Sequence, residues 1–124
     1  MTTTKPSIRR QAAESQGRIA EAFVAQLWES KGFSVLARRL RTKAGEIDLI
    51  VADPSMLVFI EVKSRKSFGQ AAHAVAPRQQ IRMYQAADSA LADHDEWNRP
   101  NIRFDIALFC NGSVEHIHDA IRAY

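Results

Sequence analysis

Two strand-like segments joined by a short turn constrain this chain more than any other feature of its sequence. Residues 46–52 (EIDLIVA) and 56–65 (MLVFIEVKSR) are rich in Ile, Val, Leu and Phe, and Asp53 and Pro54 between them are typical turn residues. The second segment is apolar on both faces from Met56 to Ile60, which indicates a central strand. The pair therefore predicts an antiparallel hairpin inside a larger sheet.

Helical periodicity precedes this hairpin. Apolar residues repeat at a spacing of four in two neighbouring rows, formed by Ile19, Phe23 and Leu27 and by Ala20, Val24 and Trp28. The pattern predicts a helix that ends near Gly32, and residues 33–40 then follow as a first strand.

A second helix and a second hairpin follow the central segment. Pro77 suits a first helical turn, and the residues after it place one apolar side on a helix, formed by Ile81, Tyr84, Ala87 and Leu91. Asn111-Gly112 is a strong two-residue hairpin signal between strands at 102–110 and 114–117. The order αβββαββ predicts an α/β fold, a mixed central sheet flanked by helices.

Length and composition fit one ordinary globular domain. The chain has 124 residues, is 46% hydrophobic and 25% charged, and residues 1–7 are expected to form a flexible tail of a single domain spanning 1–124. The lone Cys110 excludes an intrachain disulfide and is expected in the core. Neither a signal peptide nor an apolar run long enough to span a membrane is present, so a cytoplasmic protein without membrane contact is expected.

Positive charge is concentrated in the first third of the chain. Residues 1–45 carry nine Lys and Arg against three Glu, whereas residues 46–124 carry eight against eleven acids, for a net charge of +3. The densest run contains Arg38, Arg39, Arg41 and Lys43, and a nucleic acid is the partner such a run suggests. Most such runs are only solvated surface, so charge alone decides little.

The central hairpin gathers acids and a lysine on one face. Glu46 and Asp48 share a face of one strand, and Glu61 and Lys63 share a face of the next. A turn at 52–55 would pair Val51 with Met56 and set Glu46 opposite Glu61. A slip of two residues would set Asp48 opposite Glu61, and either register keeps the acids together, whereas a slip of one would separate them.

Carboxylates clustered on one patch call for positive charge, of which Lys63 supplies only one unit. A divalent ion such as Mg²⁺ would supply the rest, since it takes one or two carboxylates plus water and phosphate oxygens. Asp48 and Glu61 would be its ligands, and the Val62 carbonyl could be a further ligand. Such an ion beside an ammonium group suits phosphodiester hydrolysis. Taken singly, each residue is better explained as a solvent-facing strand side chain; the set is not.

The segment GEIDLIVADPSMLVFIEVKSR, from Gly45 to Arg65, closely resembles the YraN family of small bacterial proteins, which belongs to the restriction-endonuclease-like superfamily and is similar to archaeal Holliday-junction resolvases. Most of the chain shares the resemblance, with further matching positions at Gly17, Ala20, Glu21, Gly32, Phe33, Phe68, Gly69, Val75, Pro77, Arg78, Arg103, Phe104 and Asp105.

The resemblance implies a metal-dependent nuclease of the PD-(D/E)xK type. Asp48 and Glu61 match its metal-binding acids and Lys63 its lysine; Glu21 matches the first-helix acid of resolvase-like members, and Glu46 is a further candidate ligand. Glu21 alone suits an exposed surface position equally well. Two departures are Ile47, where the motif has Pro, and Gln79, where the family often carries Lys.

The function expected is therefore a Mg²⁺- or Mn²⁺-dependent endonuclease acting on DNA, on branched or damaged structures by analogy with the resolvases. Arg65 and Lys66, directly after the catalytic strand, join the basic run as nucleic-acid contacts, and the loop through Ala76 is either a cover for bound nucleic acid or a plain surface connection. The alternatives are a nucleic-acid-binding module without turnover and a ribonuclease. Concerted cutting of two strands would favour a homodimer. His116 and His118 are expected to be exposed.

Overall fold

The computed structural model describes residues 8–65 and 77–120. The chain forms α1 (Ile8–Ser30), β1 (Ser34–Thr42), β2 (Gly45–Ala52), β3 (Met56–Ser64), α2 (Pro77–Asp93), a 3-10 turn (Asp95–Trp97), β4 (Asn101–Cys110) and β5 (Ser113–Ile117). The expected order αβββαββ is thus confirmed. The expected tail at 1–7, Lys66 and the loop through Ala76 lie outside the described residues.

Local sequence signals set the end of the first helix and the last hairpin. Gly32 adopts a left-handed φ of +90°, and its N–H donates to the carbonyl of Glu29 at 3.0 Å, which closes α1. Asn111 and Gly112 both have positive φ, 50° and 77°, as a two-residue turn between antiparallel strands requires. Both predictions are confirmed.

The five strands form one mixed sheet in the order β1-β2-β3-β4-β5. β3 and β4 are parallel, and the other neighbouring pairs are antiparallel. The parallel pair requires a crossover, which contains α2. β3 is therefore the central strand, as its apolar residues predicted.

The register of β2 against β3 differs from the first of the two expected. Val51 pairs with Val58 rather than with Met56, so the alternative with a two-residue slip is the right one. The cause is the side chain of Asp53, whose Oδ1 accepts hydrogen bonds from the amides of Ser55 and Met56, both at 2.8 Å. This Asx turn occupies 53–56 and leaves Ala52 in the strand, paired with Leu57.

Each face of the sheet packs against one helix. The larger core lies under α2 and includes Ile50, Leu57, Phe59, Met83, Phe104 and Leu108. The other lies under α1 and includes Val24, Trp28, Leu49, Val58, Ile60 and Ala107. Cys110 is buried, as expected. Among the described residues, no helix is long and apolar enough to cross a membrane.

Candidate functional site

The ladder between β2 and β3 ends just where the predicted acids begin. Its last backbone pair is Leu49 with Ile60, so the next facing positions along the strands are Asp48 and Glu61. There the side chain of Asp48 takes over from the backbone, because its Oδ2 accepts a 2.9 Å hydrogen bond from the amide of Val62. This bond holds the Asp48 carboxyl group against β3 and beside Glu61.

The environment of Asp48 disfavours its charged form. The pKa of Asp48 is raised from 3.8 to about 7, mainly by burial and also by the negative charge of Glu61, while the hydrogen bond from the Val62 amide acts in the opposite direction. A positive charge placed beside Asp48 would favour its ionised form.

Lys63 lies on β3, the strand that also carries Glu61. Residues two apart in a strand share a face, and the Nζ atom of Lys63 lies 3.0 Å from Oε1 of Glu61. The two side chains are only 15% and 17% exposed, so the ion pair is partly shielded from solvent. The sequence prediction that Glu61 and Lys63 are neighbours is confirmed.

A cavity of about 180 Å³ opens between this end of the sheet and the first turns of α2. Its lining includes two of the predicted acids and consists of Gly45, Glu46, Glu61, Gln79, Arg82 and Met83. The Oε1 atom of Gln79 is buried there without a hydrogen-bond partner among the described residues. The cavity offers room beside Glu61 for water or a phosphate-sized group.

Glu21 reaches the site from α1 and pairs with Arg39. The Arg39 Nε atom donates to Oε1 of Glu21 at 2.6 Å, and the Glu21 side chain is only 13% exposed. Of the two positions left open for Glu21, the plain exposed one is therefore wrong. Arg39 lies between ladder residues of β1 that pair with Ile47 and Leu49, so Asp48 is its facing position.

Three of the other predicted basic residues lie on or directly after the edge strand β1, and Arg65 directly follows β3. Arg38, Arg41 and Lys43 are exposed, and Arg41 is paired in register with Glu46. Arg65 is half-buried, and its Nη1 donates to the carbonyl of Ser64 at 2.8 Å. The structure thus shows a basic sheet edge, and nucleic-acid binding by it stays a prediction.

The acid pair could provide part of the ligand set of a hard divalent cation. Within residues 8–65 and 77–120, no three or more His, Cys, Asp or Glu side chains are grouped closely enough to form a metal cage. Mg²⁺ needs only one or two carboxylates together with water and phosphate oxygens, which Asp48 and Glu61 could provide. Glu21 and Glu46 stay predicted ligands, and Glu21 is engaged by Arg39.

Sequence reasoning missed a second polar cluster, at the far edge of the sheet. Asp105 is fully buried, and its carboxylate accepts hydrogen bonds from Arg103 at 2.8 and 2.9 Å and from the Asp119 amide at 2.9 Å. The Nδ1 atom of His118 lies 2.9 Å from its Oδ2. His118 is half-exposed, but both ring nitrogens of His116 are buried, so the expected exposure of His116 is wrong.

One sequence signal could have located this cluster. The Asn111-Gly112 turn fixes the register of β4 against β5, in which Ile106 pairs with Ile117. One step further along, Asp105 faces His118. The turn chemistry was therefore enough to predict that Asp105 faces His118 and shares a strand face with Arg103.

The fold and the site define an α/β protein whose central strands carry two adjacent carboxyl groups and a lysine. The chain matches the uncharacterised protein family UPF0102 over residues 20–109 and belongs to that family. A UPF0102 protein of Acidiphilium cryptum is 49% identical over 114 residues, which cover 92% of this chain and 89% of the relative. A UPF0102 protein of Azorhizobium caulinodans is 45% identical over 113 residues, or 90% and 86%.

A third relative, a UPF0102 protein of Granulibacter bethesdensis, is 41% identical over 119 residues, which cover 95% of this chain and 75% of the relative. Family membership thus extends across most of the chain and includes the central hairpin. The comparisons confirm membership of a protein family, UPF0102, whereas the restriction-endonuclease-like superfamily and the similarity to resolvases stay predictions.

Proposed function

We propose that this protein is a metal-dependent endonuclease that hydrolyses phosphodiester bonds in DNA. The observation that carries the proposal is the hydrogen bond from the Val62 amide to Asp48, which brings two carboxyl groups together, with Lys63 3.0 Å from Glu61. The resemblance to the restriction-endonuclease-like superfamily and to Holliday-junction resolvases adds the expectation of branched or damaged DNA as substrate.

Each residue of the set has a role in this proposal. Asp48 and Glu61 would hold a Mg²⁺ or Mn²⁺ ion, and the carbonyl of Val62 could add a ligand. When bound, such an ion makes water a better nucleophile and offsets negative charge at the phosphate. Lys63 donates hydrogen bonds to the attacking water or to a phosphate oxygen, where an ammonium group stabilises the charge that develops.

The charge distribution suits a DNA substrate. The exposed residues Arg38, Arg41 and Lys43 follow the edge strand next to β2, and such side chains attract a phosphate backbone without reading its sequence. Contacts of this kind make binding weaken as salt rises. Substrate would approach the acid pair across β1.

Cleavage of labelled linear, single-stranded, flapped and four-way DNA, with an RNA control, tests the proposal in Mg²⁺ and in Mn²⁺. We expect wild-type cleavage of DNA that chelation abolishes, and losses of about a hundredfold or more in Asp48→Asn and Lys63→Met. Asp88→Asn is the matched control, since Asp88 is exposed on α2. Thermal melting would show that the inactive variants are folded.

A binding module without turnover is the second candidate, and one observation favours it. Glu21 and Glu61 already have internal counter-charges in Arg39 and Lys63, so these acids need no metal to be neutralised. Tight binding without cutting on every substrate would support this candidate. Metal-dependent cutting of the RNA control alone would instead identify a ribonuclease.

A further inference from the structure

We propose that Arg39 is a positioning residue that exchanges partners: it neutralises Glu21 while no metal is bound, and it turns to a substrate phosphate when a divalent ion occupies the acid pair. This inference rests on the proposed function, because it assumes the metal site at Asp48 and Glu61. It adds a coupling between the metal and the nucleic acid that the acid pair alone would not provide.

The backbone of Arg39 is the first observation. Arg39 has a φ of +49°, a left-handed conformation that residues with a side chain rarely adopt, although it lies inside β1. Arg38 and Leu40 on either side pair normally with β2. A strained residue between normally paired neighbours persists only where its surroundings hold it in place, and such residues cluster at functional sites.

The surroundings of the guanidinium are the second observation. It donates to Glu21 at 2.6 Å, and its Nη2 atom lies near the backbone of α1, 3.7 Å from where a Cβ on Gly17 would stand. Gly17 and Glu21 are one helical turn apart, so the group lies along α1. The left-handed backbone thus brings the side chain of β1 to the helix.

The charges around Arg39 are the third observation. Its pKa is raised, first by the hydrogen bond to Glu21, and the negative charges of Glu46 and Asp48 act in the same direction. A divalent ion bound by Asp48 would repel the guanidinium and compete with it for the nearby carboxylates. The Arg39 side chain is 39% exposed, so it can turn outward toward the exposed Arg38 and Arg41.

If Arg39 and the metal compete for the same carboxylates, removal of Arg39 must tighten metal binding. A binding measurement can test this without cleavage. Mn²⁺ alone is titrated into the full-length protein, with free Mn²⁺ measured by electron paramagnetic resonance. Arg39→Asn removes the charge with a residue that tolerates a left-handed backbone, and Arg39→Lys keeps the charge. Lys31→Asn removes the same charge at the residue directly after α1. Asp48→Asn identifies the site.

We expect Arg39→Asn to bind Mn²⁺ about fivefold tighter than wild type or more, well beyond the gain of Lys31→Asn, with Arg39→Lys close to wild type. The exchange would be overturned if Arg39→Asn bound Mn²⁺ only as tightly as Lys31→Asn, or more weakly than wild type. Either result would make Arg39 a fixed structural partner of Glu21.

DNA binding provides a second readout, in a Lys63→Met background that the proposed function predicts to bind metal without turnover. Mn²⁺ should tighten DNA binding there, and Arg39→Asn should remove most of this gain, because coupling between two ligands is reciprocal. An unchanged gain overturns the exchange and leaves the nuclease proposal intact. Absence of Asp48-dependent Mn²⁺ binding in the wild type would instead overturn both.

Discussion

The amide of Val62 donates a 2.9 Å hydrogen bond to the side chain of Asp48 at the position where the backbone ladder between their strands stops. A carboxyl group thus replaces a carbonyl as the partner of a strand amide. The consequence is a half-buried acid held beside Glu61, and the proposed chemistry depends on this arrangement.

Metal-free protein should lose stability as pH rises between about 4 and 7 because of Asp48. Burial, reinforced by the charge of Glu61, raises the pKa of Asp48 from 3.8 to about 7 in the folded state. The folded state therefore binds the proton more tightly than the unfolded chain. The resulting stabilisation of the folded state is complete below about pH 4 and lost above about pH 7. A tenfold difference in proton affinity between the folded and unfolded states corresponds to about 1.4 kcal/mol.

Urea unfolding in EDTA from pH 4 to 8 measures this effect. The free energy of unfolding should fall by a few kcal/mol across the range in wild type and in Asp88→Asn, and by clearly less in Asp48→Asn. Parallel profiles for wild type and Asp48→Asn would show that Asp48 ionises normally and that its burial has no energetic consequence.

Gly45→Ala should destabilise the protein by about 1–3 kcal/mol and disturb the cavity beside Glu61. Gly45 has a φ of +146°, and a Cβ there would stand 2.9 Å from Cδ of Arg82. The variant therefore adds backbone strain and pushes the Arg82 stem away from the sheet. Chemical unfolding of the purified protein gives the change in free energy.

Two further variants separate the strain from the contact. Gly112→Ala has the strain alone, since Gly112 has a φ of +77° and nothing within 4 Å of the added Cβ. In an Arg82→Ala background, the cost of Gly45→Ala should fall toward that of Gly112→Ala. An equal cost of Gly45→Ala with and without Arg82 would mean that the close contact is relieved freely.

Asp105→Asn should cost about 3–5 kcal/mol at pH 7, because it removes the negative charge of a fully buried side chain that faces Arg103 and His118. Burial alone would raise the pKa of Asp105, but the hydrogen bonds from Arg103, His118 and the Asp119 amide outweigh it and lower the pKa. Its stabilisation is therefore complete above the unfolded pKa of about 3.9 and is lost as pH falls through the lower folded value.

Thermal and urea unfolding at pH 7 and at pH 3 check this, with Glu115→Gln on the exposed side of β5 as the matched loss of a carboxylate. The difference in the free energy of unfolding between Asp105→Asn and wild type should be smaller at pH 3 than at pH 7. Glu115→Gln should stay near wild type at both pH values. A constant gap would contradict the ion-pair explanation.

The sequence by itself determined the features that depend on neighbouring residues. Gly32 ends α1 and Asn111-Gly112 turns β4 into β5, because left-handed backbone is accessible to Gly and Asn. The two-residue period of strands was enough to predict that Glu61 and Lys63 share a face. These signals act over a few residues, so no knowledge of the fold was needed.

Tertiary structure decided which side of each helix is buried. Ala20, Val24 and Trp28 of the first predicted pattern are buried, but Ile19 and Phe23 of the same pattern are 58% and 36% exposed. Ile81 of α2 is 59% exposed. Helical periodicity permits several rows of contact, and the choice among them depends on the shape of the sheet below.

Long-range contacts also completed the candidate site. The ion pair between Glu21 and Arg39 spans α1 and β1, and the register that sets Asp48 beside Glu61 came from the Asp53 side chain rather than from the strands. Sequence alone identified the residues of the proposed site, because residue type and local spacing are written in the chain. Only the tertiary structure decided which of their charges meet, since those distances depend on how helix and sheet pack.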